Sequence, residues 1–202
     1  MGYKMNMISS VDTPKMRRRL SPEDRRKQLL QVGLKVFANL GLEGAGHANI
    51  AKAASVSTAT VFNYFPTRPI LTQELIWEIK AILQAEFKAM NDGFDFEKSS
   101  PESRIYHMAE TYNRIIDEQP DVFKAFLMWS VSFNQELRGE FLEFQEELIA
   151  KLSKNMHGSL HNKSHARMLL GSANTLAMMR FDNYPTEELT EYVVGMTKGL
   201  KR

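Results

Sequence analysis

The sequence predicts an all-α protein of about nine helices, with a three-helix head containing a helix-turn-helix on a larger C-terminal helical bundle. Three observations carry this. Apolar residues recur at spacings of three and four, and no segment alternates like a strand. Gly46 to Arg68, GHANIAKAASVSTATVFNYFPTR, reads as two short helices, Ala48–Ala54 and Thr58–Tyr64, around a tight turn at Ser55-Val56-Ser57. Charge is segregated as well: the chain is only +2 overall, but residues 1–70 sum to +7 and the remainder to −5. A basic head on an acidic body is the electrostatic footprint of a nucleic-acid-binding module.

Each element has a local cause. Residues 1–20 lack periodicity and carry a basic cluster at Lys15 and Arg17 to Arg19, which predicts a flexible arm. Ser21 can cap a helix, Pro22 fits its first position, and Glu23 and Asp24 oppose the macrodipole. That helix places Leu29, Leu30, Gly33, Leu34, Val36, Phe37 and Leu40 on one face and should stop at Gly41. After the helix-turn-helix, Thr67 caps a long helix with Pro69 in its first turn, running to about Met90 with Leu71, Leu75, Ile79, Ile82, Leu83 and Phe87 inside. Further helices are expected at about 101–118, 120–133, 135–156, 165–181 and 186–200. The domains are therefore an arm (1–20), a head (21–68) and a body (69–202).

Composition excludes several functions. There is no cysteine, so neither disulfide nor thiolate chemistry arises. No apolar run approaches the ~20 residues of a membrane span and no signal-peptide pattern opens the chain, so the expected location is cytoplasmic, with no membrane partner. We find no phosphate loop, paired acid/base motif or nucleophile elbow, and read a non-enzyme without cofactor. His157, His161 and His165 are spaced by four, yet Gly158, Asn162 and Ser164 argue for a solvated loop, so no metal site is assigned.

The second short helix carries no long acidic side chain, which suits double-stranded DNA as partner. Ser57, Thr58 and Tyr64 are candidates for phosphates, Asn63 for adenine or a phosphate, and Ala59 for close groove approach or a thymine methyl. Thr60 belongs to the same surface, and Lys52 and Arg68 are candidate phosphate contacts. Val61, Phe62 and Phe65 are expected to be core or helix-packing residues, and His47 either to contact DNA or to cap or pack.

The order of basic arm, amphipathic helix, helix-turn-helix and helical body resembles the TetR family of bacterial transcription regulators. Both GHANIAKAASVSTATVFNYFPTR and the upstream RRRLSPEDRRKQLL (Arg17 to Leu30) are similar to the vibrio quorum-sensing master regulators, the HapR, SmcR and LuxR group. The resemblance is strong over roughly residues 15–70 and fades across the body, where Phe126 to Ser130 is the best remaining landmark. It implies a homodimer reading a pseudo-palindromic operator, half-sites about 10–10.5 bp or multiples apart, with Arg17 and Arg19 in the minor groove. The chain departs from the group at Glu43-Gly44-Ala45-Gly46, where a cation is lost, at Asn49 in place of an acid, and at Pro69-Ile70 in place of an acidic pair. These differences bear on operator sequence and affinity.

Bodies of this family often enclose a ligand cavity, and the resemblance implies an apolar small-molecule ligand among Met108, Tyr112, Phe126, Trp129, Phe133, Phe144 and Met178. The alternative for these residues is plain core. The segment Phe141 to Glu147 reads FLEFQEE, so the group's ligand chemistry does not transfer. The last two helices, with Leu169, Ala173, Leu176, Tyr192, Val193 and Leu200 among their apolar positions, suit an intramolecular core or a four-helix dimer interface, and the resemblance implies the dimer. The expected function is a quorum-sensing-type regulator. The alternatives are a local repressor released by an inducer, and a helical small-molecule-binding protein without DNA binding.

Overall fold

A computed structural model describes residues 20–156 and 162–199 of the chain. The arm with Arg17 and Arg19, together with His157, His161 and Leu200, lies outside the described residues. Within them are nine helices and no strand: α1 (Pro22–Gly44), α2 (His47–Ala54), α3 (Thr58–Tyr64), α4 (Arg68–Asn91), α5 (Pro101–Glu118), α6 (Pro120–Ser130), α7 (Gln135–Asn155), α8 (Lys163–Phe181) and α9 (Thr186–Gly199).

The caps follow the sequence. Ser21 Oγ accepts the Asp24 backbone N–H at 3.0 Å, and Thr67 Oγ1 accepts that of Ile70 at 3.3 Å. Gly41 breaks the first helix as expected, with φ 74° and ψ 176°, and Leu42 to Gly44 add one further turn after it. Leu40, expected on the apolar face, is exposed, because the break at Gly41 ends the packed stretch before it. Helix α6 stops at Ser130 and not at Phe133. There Trp129 Nε1 donates to the Leu137 carbonyl at 3.0 Å, and Arg138 donates to the Ser130 carbonyl at 2.7 Å. These two bonds fix the reversal into α7 and leave Phe133 outside, 89% exposed.

The main core cluster runs continuously from Leu29, Phe37 and Val61 in the head to Trp129, Phe144 and Ala177 in the body, and a smaller one gathers Ile105, Met156 and Leu169. Helix α1 packs on α2 and α4 within the head and, most extensively, on α6 of the body. A glycine permits a close crossing: a Cβ at Gly33 would sit 2.7 Å from Leu75 Cδ2 and 3.3 Å from Ile50 Cδ1. On the body side, Trp129 stacks on Phe144 at 5.8 Å and meets Phe141 edge-on at 5.2 Å. Helix α4 is tied to α7 by Gln73, whose amide donates to both Glu140 oxygens at 2.9 and 3.0 Å, and by Gln84 to Glu147 at 3.0 Å.

The two glycines inside helices α1 and α7 should behave oppositely. Gly33→Val forces apart α1, α2 and α4 and should lower unfolding free energy by about 2–3 kcal/mol in a urea titration. Gly139→Ala meets nothing within 4 Å and should raise it by about 0.5–1 kcal/mol.

Candidate nucleic-acid interface

The turn between α2 and α3 is built by serines. Ser55 closes α2 in the left-handed region (φ 54°), and the next N–H, of Val56, returns to the Ala51 carbonyl at 3.0 Å. Ser57 then starts α3: its hydroxyl accepts the Thr60 N–H at 3.1 Å and shares a hydrogen bond with the Thr60 hydroxyl at 2.8 Å. The expected Thr58–Tyr64 bounds agree with α3, while α2 begins one residue earlier than expected, at His47.

With α3 only seven residues long, its orientation rests on two anchors, Val61 and Phe65, both fully buried. Opposite them Thr58, Ala59, Phe62 and Asn63 are exposed, with Ser57 beside them. Thr60 and Tyr64 are half-buried, Tyr64 against the core. Lys52 is exposed in the last turn of α2. The exposed face therefore offers a hydroxyl, a methyl, an amide and an aromatic ring, with no carboxylate. That set can hydrogen-bond base edges or phosphates and contact thymine methyls.

One sequence expectation changes here, and two further residues gain partners that the sequence did not show. Phe62 is not packed inside but 45% exposed. The sequence held the clue: Val61 and Phe65, four apart, already fill the inward stripe, and Phe62 lies about 100° away from Val61. His47 is a packing residue, buried, with its ring 3.9 Å from Phe62 in a parallel stack and Nε2 2.6 Å from the Phe65 carbonyl. Arg68 stays exposed but folds back on the chain: its guanidinium donates to the carbonyls of Leu42 at 2.6 Å and Glu43 at 2.7 Å. It also lies so close to Gly46 that a Cβ there would meet Nη1 at 2.6 Å. Asn49, one of the departures from the group, donates to the Gly44 carbonyl at 2.9 Å. Arg68 and Asn49 together hold the α1–α2 connection with carbonyl contacts that an acid at position 49 could not make.

The body encloses a cavity of about 60 Å³ between α4, α5, α8 and α9. Met108 and Tyr112 line it, joined by Phe87, Met90, Ile105, Leu169 and Met196. Of the other expected lining residues, Phe126, Trp129 and Phe144 are fully buried in the aromatic core, whereas Phe133 and Met178 are exposed. The cause for Phe133 is the early end of α6, and Met178 faces outward because its neighbours Leu176 and Ala177 take the inward positions on α8. The Tyr112 hydroxyl donates to Asn174 Oδ1 at 2.9 Å, and burial pushes its phenol well above the ordinary range. Among the described residues no group of three His, Asp or Glu side chains is placed to hold a metal, and no helix is long and apolar enough to cross a membrane.

Residues 29–75 match the family model described as bacterial regulatory proteins, tetR family. The chain is 35% identical over 121 residues to the HTH-type transcriptional regulator LuxR of Vibrio harveyi, covering 60% of this chain and 57% of that protein. The match thus spans little more than half of that relative's length. Among solved structures, a TetR-like transcriptional regulator from Rhodococcus sp. RHA1 superposes with TM-score 0.73 at 16% identity, covering 91% of this chain and 97% of that one. The transcriptional regulator FadR of Bacillus subtilis, in complex with stearoyl-CoA, does so with TM-score 0.65 at 16% identity, covering 86% and 96%.

The Arg68 contacts separate a fork from a charge. Arg68→Lys keeps the cation but cannot reach both carbonyls, so it should lower stability by about 1 kcal/mol, nearly as much as Arg68→Ala, in thermal unfolding. A lysine variant as stable as the parent would return Arg68 to the role of a simple cation.

Proposed function

We propose that this chain, a TetR-family DNA-binding transcriptional regulator, acts as a homodimer on a pseudo-palindromic operator, in the manner of a quorum-sensing master regulator. The observation that supports it best is the face of α3: short polar and apolar side chains, free of acids, presented outward by the buried Val61 and Phe65. Thr58, Ala59 and Asn63 read or approach base edges in the major groove, and Ser57, Thr60, Tyr64 and Lys52 serve the phosphates. Arg17 and Arg19 of the arm enter the flanking minor groove. Regulation is by occupancy, activating or repressing according to operator position.

The two heads are held by pairing of α8 and α9 with a second copy. Leu169, Leu170, Leu176 and Ala177 are already buried within one subunit. The pairing surface is therefore the outward face, with Met168, Gly171, Thr175 and Met178 on α8 and Gly195 on α9. Small residues there allow close helix approach.

A second reading, a repressor released by an inducer, is favoured by the cavity. Helix α4 contributes Glu86, Phe87 and Met90 to it, and the same helix begins at Arg68 beside α3. An apolar ligand that enlarges the cavity would therefore displace the head. At about 60 Å³, the cavity is far below the ~300–1,000 Å³ of drug-sized sites. A chain as long as the stearoyl group named for the Bacillus subtilis relative would need the helices to part.

Fluorescence anisotropy of an operator of the quorum-regulator type against a scrambled duplex tests the main reading. A preference of about 10³ or more at physiological salt is expected. Asn63→Ala should weaken operator binding about tenfold or more, and loss of Arg17 and Arg19 should flatten the salt dependence by about one unit of slope per lost contact. Equal, weak binding to both duplexes would overturn it. Sedimentation equilibrium should give twice the chain mass of 23.2 kDa, and Gly171→Glu should shift it to one. Any ligand that occupies the body yet leaves operator affinity unchanged would defeat the inducer reading.

A further inference from the structure

An aromatic side chain 45% exposed on a seven-residue helix costs solubility and contributes little to packing, so its place there calls for a reason. Phe62 is held from one side only. Its ring lies 3.9 Å from the His47 ring, 9° from parallel, and His47 is itself fixed by the 2.6 Å contact of Nε2 with the Phe65 carbonyl. His47 is buried, and Phe65, whose carbonyl it meets, is one of the two fully buried anchors of α3. The imidazole thus acts as a backstop, leaving the second ring face and the outer edge of Phe62 open beside Thr58, Ala59 and Asn63. Two rotatable bonds are restrained in advance, so docking against an apolar target costs little ordering.

We propose that Phe62 is a sequence-reading residue that contacts a thymine C5-methyl in each half-site, with His47 as the positioning residue that holds its ring. The inference rests on the DNA-binding reading above. The thymine methyl is the apolar group that a major-groove base edge offers, and aromatic side chains are among its known partners. Thr58, Ala59 and Asn63 share the face but lack an aromatic ring's reach and area, so Phe62 makes the larger apolar contact. A hydroxyl at this position would favour phosphate; phenylalanine has none.

The test uses the full chain and a duplex selected by it from a random library. Each thymine is then replaced in turn by deoxyuridine, which removes only the methyl, and affinity is read by anisotropy. One thymine per half-site should cost about fourfold when replaced, the worth of one buried methyl, and about 15-fold when both are replaced. In Phe62→Ala that penalty should fall below about 1.5-fold. In His47→Gln, which retains a donor for the Phe65 carbonyl but removes the stack, it should shrink by about half, although Phe62 is still present. Thermal melting accompanies both variants; should Phe62→Ala melt below assay temperature, Phe62→Ser at lowered temperature carries the same comparison. A thymine penalty that persists undiminished without the ring, or no penalty at any thymine, overturns the proposal while leaving DNA binding intact. A selection that yields no motif overturns the DNA reading and this inference with it.

Discussion

The close crossing of α1 over α2 and α4 at Gly33 is the constraint on which the rest of this molecule depends. Because no side chain stands between them, Leu75 of α4 and Ile50 of α2 reach the α1 backbone, and the three helices close around Leu29, Phe37, Val61 and Phe65. Helix α1 buries its remaining apolar surface against α6. Head and body therefore share a core, and the short α2 and α3, which could not be stable alone, inherit their position from it. Polar contacts add direction more than strength. The Arg68 fork and Asn49 set the α1–α2 connection, and the Ser57–Thr60 pair sets where α3 begins.

What was legible in the sequence was local. Ser21, Thr67 and Gly41 announce their structural roles through chemistry that operates within one helical turn, and each performs that role. The turn at Ser55 to Ser57 was legible too, although its left-handed residue is a serine and not the glycine that position favours. Errors arose where apolar character had two explanations. Phe62 follows Val61 in an apolar run, and a helix of two turns is too short for periodicity alone to define its faces. Phe133 extends the Phe126–Ser130 run in sequence, but the backbone reversal secured by Trp129 and Arg138 depends on partners in the following helix, which no local reading anticipates. The carbonyl partners of the exposed Arg68 were not legible, because Leu42 and Glu43 lie 26 and 25 residues away in the chain.

The body posed the converse difficulty. Met and aromatic residues at helical spacing suit a cavity wall and a packed core equally well. Here the aromatic cluster around Trp129 and Phe144 is core, while the open space lies farther along α4, lined mainly by Met, Leu and Ile. Two of the polar groups by that space have partners within the protein, Tyr112 with Asn174 and Glu86 with Arg114. Such a cavity discriminates by shape, not by polar pattern.

Helix α4 touches the cavity at one end and starts beside α3 at the other, and its 24 residues span about 36 Å at 1.5 Å per residue. A rigid tilt of α4 about its cavity end would therefore be largest at Arg68. A tilt of only about 5° carries the Arg68 end by roughly 3 Å over that length, close to the ~3.4 Å rise of one base pair. In the dimer proposed above, two such helices tilting together would change the spacing of the heads by up to about 6 Å, nearly two base-pair steps, so the phase of the DNA helix would gauge the state of the body.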